Sequence, residues 1–229
     1  MFLYGYGAQI GQGLLLTLQL SLCALLLAFL LGLASASARL SKSRLLARIA
    51  GGYTTLVRGV PDLGTMLILF YGIQMLLNRA TEAVGMAQIT IDPFGAGVMT
   101  LGIIYGAYFS ETLRGAFMAV PRGQLEAGYA FGMSPLQVFY RILFPQMMRF
   151  ALPGIGNNWQ VLLKSTALVS IIGLNDLVRV ANQAGKSSTH FFFFIALTGV
   201  VYLIVTTISM LVLKQLEQHY GRGLKRADL

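Results

Sequence analysis

The sequence predicts an all-α membrane protein with five transmembrane helices, on the strength of three observations. Hydrophobic residues make up 56% of the 229 residues and charged residues only 11%, a balance typical of polytopic membrane proteins and unlike that of soluble domains. Several long stretches are almost free of charge, and about 20 apolar residues suffice to cross a bilayer. Lysine and arginine collect in alternate connections between these stretches. We expect residues 1–229 to form a single transmembrane domain.

The spans are read from the uncharged stretches in chain order. No charge precedes Arg39, so the first span is long, and its length and lack of a basic start argue for a retained segment rather than a cleaved signal peptide. The second is short, so residues from Gly52 onward should contribute one end. Proline and glycine at Pro153 and Gly154 predict a broken or irregular start of the fourth. The predicted spans cover about residues 11–38, 61–78, 92–119, 151–174 and 191–213.

Basic residues predict the orientation of the chain, because lysine and arginine in short connections mark the cytoplasmic side. The connections on the side that we take as outer hold only Arg79, Arg179 and Lys186. We therefore expect the N-terminus on the outer side and the C-terminus in the cytoplasm. The other side, which we take as cytoplasmic, carries Arg39, Lys42, Arg44, Arg48, Arg122, Arg141, Arg149, Lys214, Arg222, Lys225 and Arg226.

Several classes of protein are excluded by composition. The net charge of +9 follows from this topology and from contact with anionic lipid, and no basic, aromatic-rich soluble face indicates a nucleic-acid partner. The single cysteine, Cys23, is expected to be a packing residue, and two distant histidines cannot complete a metal site. The segment 185–187 resembles the end of a phosphate-binding loop, but Val180 stands where that motif needs glycine. We predict no catalytic site, no metal and no cofactor in this chain.

A polar loop at about residues 120–146 separates the third span from the fourth. Gly132 can adopt the left-handed conformation that ends a helix. Ser134, Pro135 and Gln137 match the N-cap, the first position and the third position of a capped helix. The loop is therefore expected to form two short helices joined by a tight turn.

The spacing within this loop resembles a known pattern. The triplet Glu126-Ala127-Gly128 is followed after three residues by Gly132, and Phe144-Pro145 closes the segment. It resembles the EAA loop of bacterial ABC importer permeases, which docks into a groove on a cytoplasmic ATPase. Small residues in the triplet would leave room for that partner, and the glutamate would offer it an acceptor. An ordinary connector is the alternative. The resemblance implies ATPase-coupling roles for Glu126, Ala127, Gly128, Gly132, Met133, Ser134 and Pro135.

Polar residues within the spans are candidates for function, because ionisable groups in a bilayer are costly. Glu111 and Arg114 lie three apart, which favours an intrahelical ion pair, although Glu111 could instead face a pathway and attract a cation. Gly102, Gly106 and Ser110 form a small-residue stripe that favours close packing of another helix.

The fourth span adds amide groups and a lysine. Asn157 and Asn158 could hold the carboxylate and ammonium of an amino acid, or could hydrogen-bond to another helix, and both interpretations stay open. Lys164 could pair with Glu111 or Asp62, which we favour, or bind a substrate carboxylate.

Segments outside the loop extend the resemblance over nearly the whole chain. They look like polar amino acid permeases, and among these like the Q-type subunits of importers for basic amino acids. The resemblance implies a type I ABC importer permease fold with a substrate pocket near the membrane midplane at Thr65 and Asn158, to which we add Tyr108, Glu111 and Asn157 as candidates. The segments that carry it are residues 52–61, 105–112, 152–154 and 164–170.

The same resemblance implies partners and a location. We expect a heterodimer with a second, M-type permease in the bacterial inner membrane, two cytoplasmic ATPase subunits that bind ATP and Mg, and a periplasmic binding protein. The implied function is import of basic amino acids, namely histidine, arginine, lysine and ornithine, without catalysis by this chain. Import of another polar amino acid or an opine is the alternative, and a non-transporting membrane scaffold is a remote one.

Overall fold

The computed structural model describes residues 2–221, and every regular element within them is helical. The basic residues Arg222, Lys225 and Arg226, used above to orient the chain, lie outside the described residues. After a turn over Phe2–Gly5, the elements are α1 (Gly7–Leu40), α2 (Arg44–Gly59), α3 (Asp62–Ala83), α4 (Pro93–Ala119), α5 (Arg122–Ala130), α6 (Pro135–Val138), a π-helical turn (Phe139–Leu143), α7 (Phe144–Ser165), a 3-10 segment (Thr166–Ile172), α8 (Leu177–Ser188) and α9 (Phe191–Tyr220).

The helices have the length and surface of membrane helices. Among the described residues, α1, α3 and α9 are each long and apolar enough to cross a bilayer, and the bent pair Pro135–Ile172 and Leu177–Ser188 would make a fourth crossing. Large apolar side chains cover the outside of the bundle: Leu26 on α1 is 63% exposed and Leu203 on α9 is 65% exposed. A soluble fold rarely exposes so continuous an apolar surface. The predicted class, an all-helical membrane protein, is confirmed.

The most extensive contact between two helices of the described residues is between α1 and α4. A Cβ added at Gly102 would lie 2.5 Å from the Leu27 side chain, so only glycine leaves room for that leucine. Two turns further along α4, the Ser110 hydroxyl donates to the Ser35 hydroxyl at 2.9 Å. The predicted stripe of Gly102, Gly106 and Ser110 is thus the surface on which α1 packs.

Helix α4 is the centre of the bundle. Its side chains Leu101, Ile104 and Phe109 are fully buried. The Tyr53 hydroxyl of α2 donates to the Ile103 carbonyl at 2.5 Å, which ties α2 to the same helix. Because α4 faces protein on most sides, Gly97, Gly102 and Gly106 are covered by neighbouring elements.

The second span extends further than its prediction. Helix α3 begins at Asp62, directly after the Val60–Pro61 break, and ends at Ala83, whereas the predicted span ended near Asn78. Gly52 lies in the separate helix α2, whose Tyr53 contacts α4 at Ile103. A contribution of residues from Gly52 to this span stays a prediction.

The predicted break at the start of the fourth span is also wrong. Helix α7 begins at Phe144 and continues through Pro153 to Ser165. A Cβ at Gly154 would lie 2.5 Å from Thr112, so this glycine permits close packing of α7 on α4 and does not interrupt the helix. The irregular backbone lies instead at the two ends of α7, in the π-helical turn before it and the 3-10 segment after it.

Cys23 differs from its prediction as well. Its side chain is exposed on α1 and does not fill the core. The core positions of that turn are Leu20 and Ala24, both fully buried. Helical periodicity places Cys23 on the neighbouring face, which turns away from α4.

The packing of α1 on α4 is tested by Gly32→Ala. The added Cβ would lie 2.5 Å from the Phe109 Cβ and 3.1 Å from the Ser110 backbone nitrogen, and neither atom can move without shifting α4. Overpacking of this kind costs about 1–3 kcal/mol, so we expect a lower thermal unfolding midpoint in detergent. Gly199→Ala on α9 is the matched control, because nothing lies within 4 Å of its added Cβ. Equal midpoints for the two variants would contradict the close contact.

Candidate functional site

The polar loop between α4 and α7 has the predicted geometry. Helix α5 ends in a turn in which Gly132 adopts φ +77°, and the Met133 amide donates to the Gly128 carbonyl at 3.1 Å. Both bonds of the capping box are present at α6: the Gln137 amide donates to the Ser134 hydroxyl at 3.4 Å, and the Ser134 amide donates to the Gln137 side chain at 2.9 Å. The two short helices and their tight turn are confirmed.

Gly128 has a different structural role from the one expected. It is buried, and a Cβ at this position would lie 2.6 Å from Ile142 and 3.1 Å from Val138. The space next to Gly128 is therefore filled by the second half of the loop and is not kept open for a partner. Glu126 and Ala127, by contrast, are exposed.

The loop also exposes large apolar side chains that the sequence argument did not consider. Phe131, in the turn next to Gly132, is 85% exposed. A phenylalanine at this position in a polar loop was the available signal, because such a residue usually packs against something. The others are Tyr129, Leu136 and Tyr140, each more than half exposed.

Glu111 lies at the centre of an ion-pair cluster near the C-terminal end of α4. The Arg114 Nη2 lies 2.8 Å from Glu111 Oε2, which confirms the predicted intrahelical pair. Arg39 of α1 contacts the other oxygen and also donates to the Thr54 hydroxyl at 3.1 Å. The Arg58 Nη1 lies 3.8 Å from the same oxygen. Three guanidinium groups around one carboxylate leave a net charge of +2, so Glu111 is not a free acceptor for a further cation.

The two asparagines face different surfaces. Asn158 is 8% exposed, and its Nδ2 donates to the Thr112 hydroxyl of α4 at 3.0 Å, which is the helix-to-helix bond that was one of its two interpretations. Asn157 is exposed and lines an open cleft of about 830 Å³ between α7 and the end of α9. The two amides are therefore not brought together around one ligand.

Lys164 does not form the ion pair that we favoured. It is exposed, and within residues 2–221 no carboxylate lies within 4 Å of it. Glu111 is already surrounded by arginines, and Asp62 is bonded elsewhere. The predicted ion pair of Lys164 with Glu111 or Asp62 is therefore wrong. A role for Lys164 at a substrate carboxylate stays a prediction.

A second polar cluster joins α3, α4 and α7. The Tyr105 hydroxyl donates to Asp62 Oδ2 at 3.0 Å and lies 2.5 Å from the Ser165 hydroxyl. The Tyr108 ring stacks on Tyr105 with centroids 5.6 Å apart, and the Arg58 guanidinium lies 5.3 Å from the Tyr108 centroid. From the sequence, Asp62 was expected only as a possible ion-pair partner of Lys164.

Thr65 lies one helical turn after Asp62 on the same face of α3. Its hydroxyl oxygen is buried and has no hydrogen-bond partner among the described residues. A buried hydroxyl normally finds a partner, so this one remains available to a group that the isolated chain does not supply.

A family of known proteins matches this architecture. The binding-protein-dependent transport system inner membrane component family matches residues 28–222. The chain belongs to this family. The histidine/lysine/arginine/ornithine transport system permease protein HisQ of Escherichia coli (strain K12) is 58% identical to it, over 99% of the chain and 100% of that protein.

A second relative and a solved structure agree with this assignment. The octopine transport system permease protein OccQ of Rhizobium radiobacter is 35% identical, over 97% of the chain and 94% of that protein. A crystal structure of an amino acid ABC transporter with histidines matches with a TM-score of 0.79 at 29% identity, over 93% of the chain and 95% of that structure. The chain is accordingly an ABC transporter permease subunit and not an enzyme, and ATPase activity lies in a partner subunit.

The charge balance around Glu111 is tested by Glu111→Gln. The variant leaves the partly buried Arg39 and Arg114 and the exposed Arg58 without their carboxylate, and the loss of charge-assisted hydrogen bonds costs about 2 kcal/mol. We expect a lower thermal unfolding midpoint of the purified chain. Glu82→Gln on α3 is the control, because Glu82 is exposed and forms no ion pair among the described residues. An unchanged midpoint for Glu111→Gln would show that the cluster adds no stability.

Proposed function

We propose that this chain is the membrane-spanning permease subunit of an ATP-driven importer for the basic amino acids histidine, arginine, lysine and ornithine. The observation that carries the proposal is the 58% identity to HisQ along the whole chain, in a transport system named for these four substrates. The 35% identity to OccQ favours an opine as the second candidate substrate.

Five helices cross the membrane in this proposal: α1, α3, α4, α7 and α9. They contain 34, 22, 27, 22 and 30 residues. A helix of 22 residues is about 33 Å long, which suffices for a bilayer. The modest hydropathy of α4 is compatible with crossing, because this helix is surrounded by protein.

The polar loop lies on the cytoplasmic side in the proposed orientation. The connection after α1 and the loop after α4 carry most of the basic residues of the short connections, which supports placing both on the cytoplasmic side of the bacterial inner membrane. The N-terminus then lies outside. The loop is thereby on the side where a nucleotide-hydrolysing partner operates.

The proposed assembly pairs this subunit with a second, M-type permease and two cytoplasmic ATPase subunits, which bind ATP and Mg. A periplasmic binding protein delivers the amino acid. The exposed apolar side chains of the loop support contact with an ATPase, because Phe131, Leu136 and Tyr140 would otherwise face the cytoplasm.

Movement of the loop would reach two membrane helices at once. Only Val120 and Pro121 separate α4 from α5, and the π-helical turn passes directly into α7. Thr112 of α4 contacts α7 through both Gly154 and Asn158, so the two helices move as a pair. Alternating access then results when ATP binding and hydrolysis in the partner shift this pair, together with α1 packed on α4, against the remaining helices.

The proposed substrate pocket retains Thr65 and Asn158, with Tyr108, Glu111 and Asn157 as secondary candidates. The unpartnered Thr65 hydroxyl supports its membership. Asn158 donates one N–H to Thr112, and its second N–H and its Oδ1 could contact a ligand, which would couple substrate contact to the α4–α7 pair. Glu111 would act on substrate only through its arginines.

The proposed substrate class is tested by uptake into lipid vesicles that contain the assembled transporter, with labelled arginine, histidine and glutamine. We expect ATP-dependent accumulation of arginine and histidine at least tenfold above glutamine. Octopine is added as a competitor, since strong competition would favour an opine importer. A preference for glutamine would contradict the proposal, and no ATP-dependent uptake of any of these compounds would favour a scaffold.

The role of the loop is tested by Phe131→Ser. Truncation of an aromatic side chain that anchors a protein interface costs about 2 kcal/mol or more, and tenfold corresponds to about 1.4 kcal/mol, so we expect at least a tenfold loss of ATPase copurification. Phe192→Ser is the matched control, because Phe192 is 84% exposed but lies at the opposite end of the bundle. Equal ATPase recovery from the two variants would contradict docking at the loop.

A further inference from the structure

The carboxylates of Glu111, on α4, and of Asp62, on α3, have opposite surroundings. Glu111 is contacted by Arg39, Arg58 and Arg114. Asp62 has no lysine or arginine nitrogen within 4 Å among residues 2–221. The nearest arginine in sequence, Arg58, is instead engaged by Glu111 and by the Tyr108 ring. Of these two carboxylates, Asp62 is therefore the one that no lysine or arginine of the described residues pairs with.

The position of Asp62 makes this charge costly. It bonds to Tyr105, which lies near the middle of the 27-residue α4 and is 1% exposed, so the carboxylate lies well inside the bundle. An ionised side chain at such a depth in a membrane protein normally pairs or lines a pathway. A charge without a partner in the chain itself indicates a partner that arrives from outside.

The geometry around Asp62 is suited to holding a cation. The Tyr105 hydroxyl fixes Oδ2 and is itself fixed by Ser165, so the carboxylate is oriented by two other helices. The Tyr108 hydroxyl also lies near this carboxylate, and Asp62 is partly exposed. The unpartnered Thr65 hydroxyl lies one turn further along α3.

We propose that Asp62 is the specificity-determining residue that recognises the positive charge of the substrate side chain, as an ammonium, guanidinium or imidazolium group. The inference rests on the proposed function and assigns the cation to Asp62 in place of Glu111. The partly exposed carboxylate accepts the hydrogen bond of the cation, while Tyr105 keeps it in place. Charge-assisted bonds of this kind are about twice as strong as neutral ones.

The test compares a permanently charged substrate with a neutral one delivered by the same binding protein. Lysine uptake and histidine uptake are measured at pH 8, where histidine is largely neutral because its ordinary pKa is about 6.5. The variants Asp62→Asn, Asp62→Ser and Asp62→Glu are reconstituted as the complete transporter. Asp92→Asn is the control, because Asp92 is exposed and only caps the start of α4.

We expect Asp62→Asn and Asp62→Ser to lower the ratio of lysine to histidine uptake at least tenfold, whereas Asp62→Glu and Asp92→Asn keep it within about threefold of wild type. A structural role would lower both uptakes equally, so an unchanged ratio in either uncharged variant would overturn the proposal. So would failure of both uncharged variants to assemble while Asp62→Glu assembles, since the carboxylate would then be structural. A wild-type transporter that takes up neither substrate would refute the proposed function itself.

Discussion

The close packing of α1 on α4 is the constraint on which the remaining structure depends. Glycine and serine along α4 let the first helix lie against it over most of its length, and this pair forms the core on which α2, α3 and α7 assemble. In a bilayer the hydrophobic effect does not drive helices together, so van der Waals contact and small residues must do so. The polar groups near α4 are positioned by this packing.

The two carboxylates beside α4 illustrate how packing decides the use of similar side chains. Glu111 is the meeting point of arginines from α1, α2 and α4, which joins three helices near one end of the bundle. Asp62 accepts a hydrogen bond from the Tyr105 hydroxyl, which in turn bonds to Ser165. The first arrangement stabilises the assembly, and the second leaves a charge for a ligand.

Local features were predictable from the sequence, whereas features that depend on distant contacts were not. Apolar stretches define the long helices, and the capping box at Ser134 needs only four consecutive residues. The pair of Glu111 with Arg114 follows from helical spacing. The contact with Arg39 joins positions 72 residues apart, and no local pattern indicates it.

Residue-type rules misled the analysis where tertiary packing changes the role of a residue. Pro153 and Gly154 are typical of a helix break, yet the glycine packs on Thr112 and the helix continues. The sequence pattern suggested free space next to Gly128, but in the fold Ile142 and Val138 fill that space. In the candidate pocket, sequence similarity selected Thr65 and Asn158, while the environment of Asp62 required the assembled helices.

The exposure of Cys23 has a practical consequence for following the transport cycle. It is the single thiol among the 229 residues, and it projects from the helix that is held against α4. A spectroscopic probe attached there needs no removal of competing sulfhydryl groups. Because α1 packs closely on α4, such a probe would follow the displacement of α4 relative to the remaining helices.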